Sequence, residues 1–246
     1  MKPLIIANWK CNPETLKEAE KLFSDTEKNL RNIRGAEVVV CPPFVFFQKS
    51  RVFKLGAQNC FWENKGAYTG EVSPSMARDT GCEYVIIGHS ERRKHFKEDN
   101  KTVNKKMRAA LKAGLRPIMC VGETQEERAK GEVKKIIENE IKLGLADISA
   151  NKLSNNTVIA YEPIWAIGSG IPCDPEEAQK MKILIMKTIL DIYGPKVAEK
   201  VPVLYGGSVK SDNAEDYVKK SGLNGLLVGG ASLDAEEFAK IVESCI

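Results

Sequence analysis

Eight short apolar runs recur along this chain, at residues 4–9, 37–41, 54–60, 84–89, 115–121, 157–162, 201–205 and 225–228. Each has the length of a β-strand, and most are rich in Val and Ile, which fit a buried pleated surface. Longer stretches with helical periodicity separate them. The mean spacing of about 31 residues is that of one strand–loop–helix–loop unit. Alternation of strand and helix, eight times in 246 residues, predicts a closed, eight-stranded parallel (β/α)8 barrel of the α/β class. The rival is an open doubly wound sheet, which carries a G-x-G-x-x-G turn after its first strand. Here the first run ends Asn8-Trp9-Lys10, with no glycine. Nothing in the composition marks a linker or a second unit, so residues 1–246 read as a single domain.

The segment 174–193 shows how the helices are written. Asp174 can cap the first turn, Pro175 suits the first helical position, and Glu176 and Glu177 favour the positive end of the helix dipole. Ala178, Met181, Ile185, Ile189 and Ile192 fall on one face, and Gly194-Pro195 stops the helix. By the same logic the first helix is expected to start at Asn12 as cap and Pro13 in the first turn. Leu16, Ala19 and Phe23 then lie on its buried side.

In a parallel barrel the active site is built at the C-terminal ends of the strands. The first run places Asn8 and Lys10 on one face, with Leu4 and Ile6, while Trp9 faces the helices. The fourth ends Gly88-His89-Ser90-Glu91, and the sixth ends Tyr161-Glu162-Pro163. The seventh and eighth end in Gly206-Gly207-Ser208 and Gly229-Gly230-Ala231-Ser232. Taken singly, each has an ordinary structural reading: a solvated lysine, a satisfied histidine, a strand terminator, turn glycines. The barrel brings them to one mouth, and together they read as chemistry. Glycines let backbone N–H groups approach a phosphate closely. Glu162 is then a base and His89 an electrophile, a combination suited to proton abstraction or isomerisation. His95, in the charged stretch 91–99, reads as surface. A G-x-S-x-G nucleophile is missing, as is any His and carboxylate spacing suited to a metal.

The excess of 37 Lys and Arg over 33 Asp and Glu leaves a net charge of +4, spread along the chain. With no basic tail, nucleic acid is not an expected partner, whereas an anionic small substrate is. Seven scattered cysteines, with no C-x-x-C, argue against a disulfide framework or zinc site and for a reducing, cytoplasmic compartment. No apolar run approaches membrane-spanning length, and the N-terminus runs straight into the first strand. Neither a membrane segment nor a leader is expected.

Five segments resemble the signature segments of the triosephosphate isomerase family, in the right order and spacing from end to end. They are Asn8-Trp9-Lys10, Gly88-His89-Ser90-Glu91-Arg92-Arg93, the run from Ala160 to Gly168, Tyr205-Gly206-Gly207-Ser208 and Val228-Gly229-Gly230-Ala231-Ser232. The resemblance implies an enzyme of glycolysis and gluconeogenesis that interconverts dihydroxyacetone phosphate and glyceraldehyde 3-phosphate. It implies Glu162 as base, and His89 held neutral with a lowered pKa at the start of a helix, the arrangement this family is known for. Lys10 supplies fixed charge, Asn8 orients substrate, and Glu91 supports His89 and Lys10. Gly168, Ser208, Gly229 and Gly230 offer N–H groups to the phosphate, with no metal or organic cofactor. Residues 163–173 resemble the family's lid, whose closure excludes water, buries Glu162 and makes it more basic. The polar segment 61–73, from Phe61 to Ser73, resembles an arm that enters a partner subunit, with Thr69 near the partner's site, which implies a homodimer.

The far hinge of the lid departs from the family's Thr-Gly-Lys. It reads Ser169-Gly170-Ile171-Pro172-Cys173, a stiffer sequence with a cysteine expected to be exposed. Two rival functions stand beside this one. Another sugar-phosphate isomerase or lyase would keep the glycines but need not keep Asn8, Lys10, His89 and Glu162 together. A non-catalytic binding barrel would have lost the base or the imidazole.

Overall fold

The structure, a computed structural model, describes residues 2–168 and 172–246. Its strands are β1 (Leu4–Asn8), β2 (Glu37–Cys41), β3 (Lys54–Ala57), β4 (Cys82–Ile87), β5 (Arg116–Val121), β6 (Val158–Tyr161), β7 (Val203–Tyr205) and β8 (Gly225–Val228). All neighbours are parallel, and β8 returns to β1, closing the barrel. The seam between β7 and β8 is the thinnest. One register pair, Tyr205 with Leu226, joins them, against five between β1 and β2.

The helices are α1 (Leu16–Leu30), α2 (Pro74–Asp79), α3 (Ser90–Phe96), α4 (Asn100–Lys112), α5 (Gln125–Ala129), α6 (Val133–Gly144), α7 (Ala150–Asn156), α8 (Pro175–Tyr193), α9 (Pro195–Ala198) and α10 (Ala235–Ser244). Alternation is therefore not strict. After β2 the chain makes only the 3-10 turn Phe44–Phe46, following Pro42-Pro43, and after β7 it forms the π-turn Asp216–Lys220.

Strand alternation sorts the core into two layers. Leu4, Ile6, Val39, Tyr84, Ile86, Ile118, Val158, Ala160 and Leu204 fill the barrel interior. Ile5, Ala7, Trp9, Val85, Met119, Ile159 and Tyr161 face the helices, where Trp9 meets Phe23 edge to face. Each such buried aliphatic side chain contributes about 1.5–3 kcal/mol. The N-terminal mouth is closed by charge. Lys54 Nζ lies 2.9 Å from the Glu37 carboxylate, which also meets the Tyr84 hydroxyl and Arg116.

Helix α8 starts as expected: the Asp174 carboxylate accepts the Glu176 N–H at 2.8 Å, and Gly194 at φ +81° ends it. The start of α1 differs. Asn12-Pro13 is a cis peptide and lies outside the helix, and Thr15 caps it through a reciprocal box with Glu18. Ala19 and Phe23 are buried, but Leu16 and Ile192 are exposed.

Candidate active site

At the C-terminal mouth lies a cavity of about 1050 Å³. Asn8, Lys10, His89, Glu162, Gly168, Ser208, Gly229 and Gly230 all line it. Glu91 is not among the lining residues but lies 2.5 Å from Lys10 Nζ. Every site residue read from the sequence therefore comes together at one place.

Lys10 reaches the cavity by a route that alternation does not describe. β1 ends at Asn8, and Lys10 adopts a left-handed backbone, φ +54°. Its N–H is held by the Asn8 side chain at 3.1 Å, and its carbonyl by the Gln58 amide at 2.8 Å. That second bond offsets the strain of a non-glycine residue at positive φ. The lysine stem lies on Gly229, where an added Cβ would stand 3.1 Å from Lys10 Cε. Gly230 is different: a Cβ there would meet nothing within 4 Å. Packing within the chain gives no reason for that glycine, whereas close approach of a ligand does.

His89 closes β4 and caps α3, with Nδ1 accepting the Glu91 N–H at 3.3 Å. That bond occupies the Nδ1 lone pair and leaves the neutral ring's proton on Nε2. Glu162 follows β6 and is 2% exposed. Its N–H extends the ladder to the Val121 carbonyl at 2.8 Å, and its Oε2 accepts the Ser90 N–H at 2.8 Å. Oε1 lies 2.9 Å from His89 Nε2, the ring nitrogen that carries the proton.

The pKa expectation for His89 is corrected here; that for Glu162 concerned the closed lid. Burial alone would raise the Glu162 pKa, but His89 and the Ser90 N–H outweigh it and hold the carboxyl below its ordinary value. Burial likewise disfavours imidazolium, but the Glu162 carboxylate outweighs it, and the His89 pKa is raised rather than lowered. Each group is the other's dominant partner. Once they separate, burial and Lys10 act to lower the imidazole's pKa against Glu91, which raises it.

Of the hinge, Ser169, Gly170 and Ile171 lie outside the described residues, and Pro172 lines the cavity. Cys173 is not exposed as expected. It is buried, its thiol pushed up to about 12 by burial. Its N–H donates to the Tyr205 hydroxyl at 3.1 Å and its carbonyl accepts from Tyr217 at 2.5 Å, and the two tyrosine rings are stacked.

The sequence reading missed Glu123. This fully buried carboxylate gathers the Tyr161 hydroxyl at 3.1 Å, the Trp165 indole at 2.9 Å and Arg128 at 3.0 Å, and so fixes the chain just beyond Glu162. It follows the end of β5 as Glu162 follows β6, so the strand-end rule applied to the fifth run finds it. Among the described residues no group of three or more His, Cys, Asp or Glu is placed to hold a metal ion.

A family model described as Triosephosphate isomerase matches residues 3–245. Relatives carrying that name include the protein of Endomicrobium trichonymphae, 48% identical over 98% of both chains. That of Aquifex aeolicus (strain VF5) is 46% identical, over 99% of this chain and 100% of its own. That of Clostridium tetani (strain Massachusetts / E88) is 45% identical, over 98% and 96%. Matches of this identity, running the length of the barrel just described, lead to one conclusion: the chain belongs to the triosephosphate isomerase family.

Proposed function

We propose that Glu162 is the base that carries one proton between adjacent carbons of a phosphorylated triose. The enzyme interconverts dihydroxyacetone phosphate and glyceraldehyde 3-phosphate, the aldose–ketose step of glycolysis and gluconeogenesis. The observation that carries the assignment is the buried carboxylate of Glu162 in the cavity, with Oε1 2.9 Å from His89 Nε2. A buried carboxylate beside an imidazole that donates through Nε2 is the pairing that proton transfer next to a carbonyl needs. Substrate enters between the two side chains. Glu162 then faces the carbon beside the carbonyl, and the Nε2–H of His89 faces the oxygens that gain charge in the enediolate. Lys10 adds fixed positive charge and is itself held by Glu91, while Asn8 orients the substrate. N–H groups of Gly168, Ser208, Gly229 and Gly230 take the phosphate, with no metal or cofactor. The whole barrel acts as one catalytic domain. A coupled assay on glyceraldehyde 3-phosphate, with Glu162→Gln as control, tests the reading.

This exchange of partners has a pH signature. The free enzyme's base is an anion whose pKa lies below its ordinary 4.5, so activity is lost as pH falls through that lowered value. In the complex the carboxylate no longer touches His89 and its pKa rises. The acid limb of kcat therefore lies at higher pH than that of kcat/KM, once the latter is corrected for the substrate phosphate's own ionisation near pH ~6. Coincident limbs in pH–rate profiles would show that substrate does not displace the Glu162–His89 contact.

The same reading includes a cytoplasmic homodimer. The free, mostly buried thiols suit a reducing compartment, and no described helix is long and apolar enough to cross a membrane. The segment 61–73 is tied at its base by the Phe61 N–H to the Val72 carbonyl at 2.8 Å, and its tip is exposed. Tyr68 in the arm and Met76 just beyond it are large apolar groups left in water. Shortening the arm is expected to turn a dimer into a monomer in light scattering. A monomeric parent, or an unchanged mass after shortening, contradicts the arm's role.

A further inference from the structure

Next to the proposed base and imidazole lies a partly buried ion pair, Arg93 with Glu140, whose arginine also donates its backbone N–H to the His89 carbonyl at 3.1 Å. Arg93 on α3 donates through Nε to the Gly88 carbonyl at 2.8 Å and through Nη2 to the Cys120 carbonyl at 3.3 Å. Its Nη1 donates to the Asn100 side chain at 2.7 Å and stands 3.5 Å from Glu140 Oε1. Glu140 on α6 is buried, and its Oε2 accepts the Gly122 N–H at 2.9 Å.

The peptides these groups hold are the ones on which the site rests. Gly88, at φ +70°, is the turn that delivers His89. A Cβ on it would fall 2.8 Å from Val103 and 3.2 Å from Arg93 Nη2, so the turn is packed on the guanidinium. Gly122 is pressed against the backbone of Glu162, where a Cβ would come within 1.7 Å of the Glu162 carbonyl oxygen. One side-chain pair thus joins the turn before the imidazole to the peptide that seats the base, from two different helices.

We propose that Arg93 and Glu140 are positioning residues for the proton transfer, keeping His89 and Glu162 in register through Gly88 and Gly122. The proposal rests on the roles given above to those two side chains. The bond to Gly122 is the essential contact of Glu140. Burial pushes its carboxyl up to about 7, so near neutral pH the charge on Glu140 is only partly present. A neutral acceptor of the same shape therefore serves as well.

The test compares kcat, KM and circular dichroism of the full-length enzyme with its Glu140→Leu, Glu140→Gln and Arg93→Lys variants. Glu140→Leu leaves Gly122 unheld and is expected to lower kcat about tenfold, with KM within about twofold and an unchanged spectrum. Glu140→Gln keeps an oxygen for the Gly122 N–H and is expected to hold kcat within about twofold of the parent. Arg93→Lys keeps a cation but loses the fork to Gly88 and Cys120, and is expected to behave as Glu140→Leu. It also decides the matter if Glu140→Leu does not fold. Parental kcat in folded Glu140→Leu, or failing that in Arg93→Lys, overturns the proposal. So does a Gln variant as slow as the Leu variant. Full activity in Glu162→Gln would instead remove the assignment of the base, so the two failures are distinct.

Discussion

Glu162→Gln is expected to lower kcat by about three orders of magnitude while KM changes little. The substitution is nearly isosteric and removes only what the proposal needs. The Gln oxygen still accepts the Ser90 N–H, and the side-chain stem still packs over Gly206, where a Cβ would stand 3.0 Å from Glu162 Cγ. What disappears is the lone pair able to take a proton from carbon. The fold is not at risk, because an amide costs less to bury than a carboxylate. Parental turnover in the coupled assay with folded Glu162→Gln sinks the assignment of the base, and with it the order of events drawn for His89.

Lys10→Met is expected to lower kcat/KM by about 10²–10³, with kcat and KM both affected. Lys10 lines the same cavity as the paired glycines and the imidazole, so on the proposed reading its charge serves binding as well as the reacting oxygens. The methionine keeps an apolar stem over Gly229. Stability is the control. The Lys10–Glu91 pair is partly exposed on both sides, and such pairs contribute about 0–1 kcal/mol. Melting temperature should therefore hardly move. A large fall in melting temperature, or unchanged kinetics, would mark Lys10 as structural.

The strand count, barrel closure and convergence of the polar strand ends were all legible in the sequence, because each depends on local period and chain order. The helix after β2 was not, since its absence rests on a short Pro-led segment rather than on a broken pattern. The cap of α1 went to Thr15 over Asn12 because only Thr15 has a glutamate three residues on to complete the box. Lys10 was placed in the cavity for an incomplete reason: the alternation that predicted it stops at Asn8, and a left-handed turn finishes the job. The pKa directions of Glu162 and His89 were not accessible at all. They depend on a contact between residues from separate strands, and the bond pattern of neither side chain can be read from its neighbours in sequence. Glu123 and Glu140 share that difficulty. Their partners come from β6 and the loop after it, from α3, from α5 and from the end of β5, so their meaning exists only once the barrel is closed.

The thin seam between β7 and β8 has a consequence for how the barrel survives in the cell. A closed sheet offers no edge to other chains only while every neighbour stays paired. Here Asn224 ties the N-terminal end of the seam, with its N–H on the Val203 carbonyl and its side-chain oxygen on the Val203 N–H. Above Tyr205 and Leu226 no further register pair follows, and the glycine loops stand side by side. On the proposed reading, a substrate phosphate held by N–H groups of both loops would bridge that gap. The substrate would then be a staple as well as a reactant: with the mouth filled, the sheet would be denied the opening from which it could unzip and recruit a neighbour.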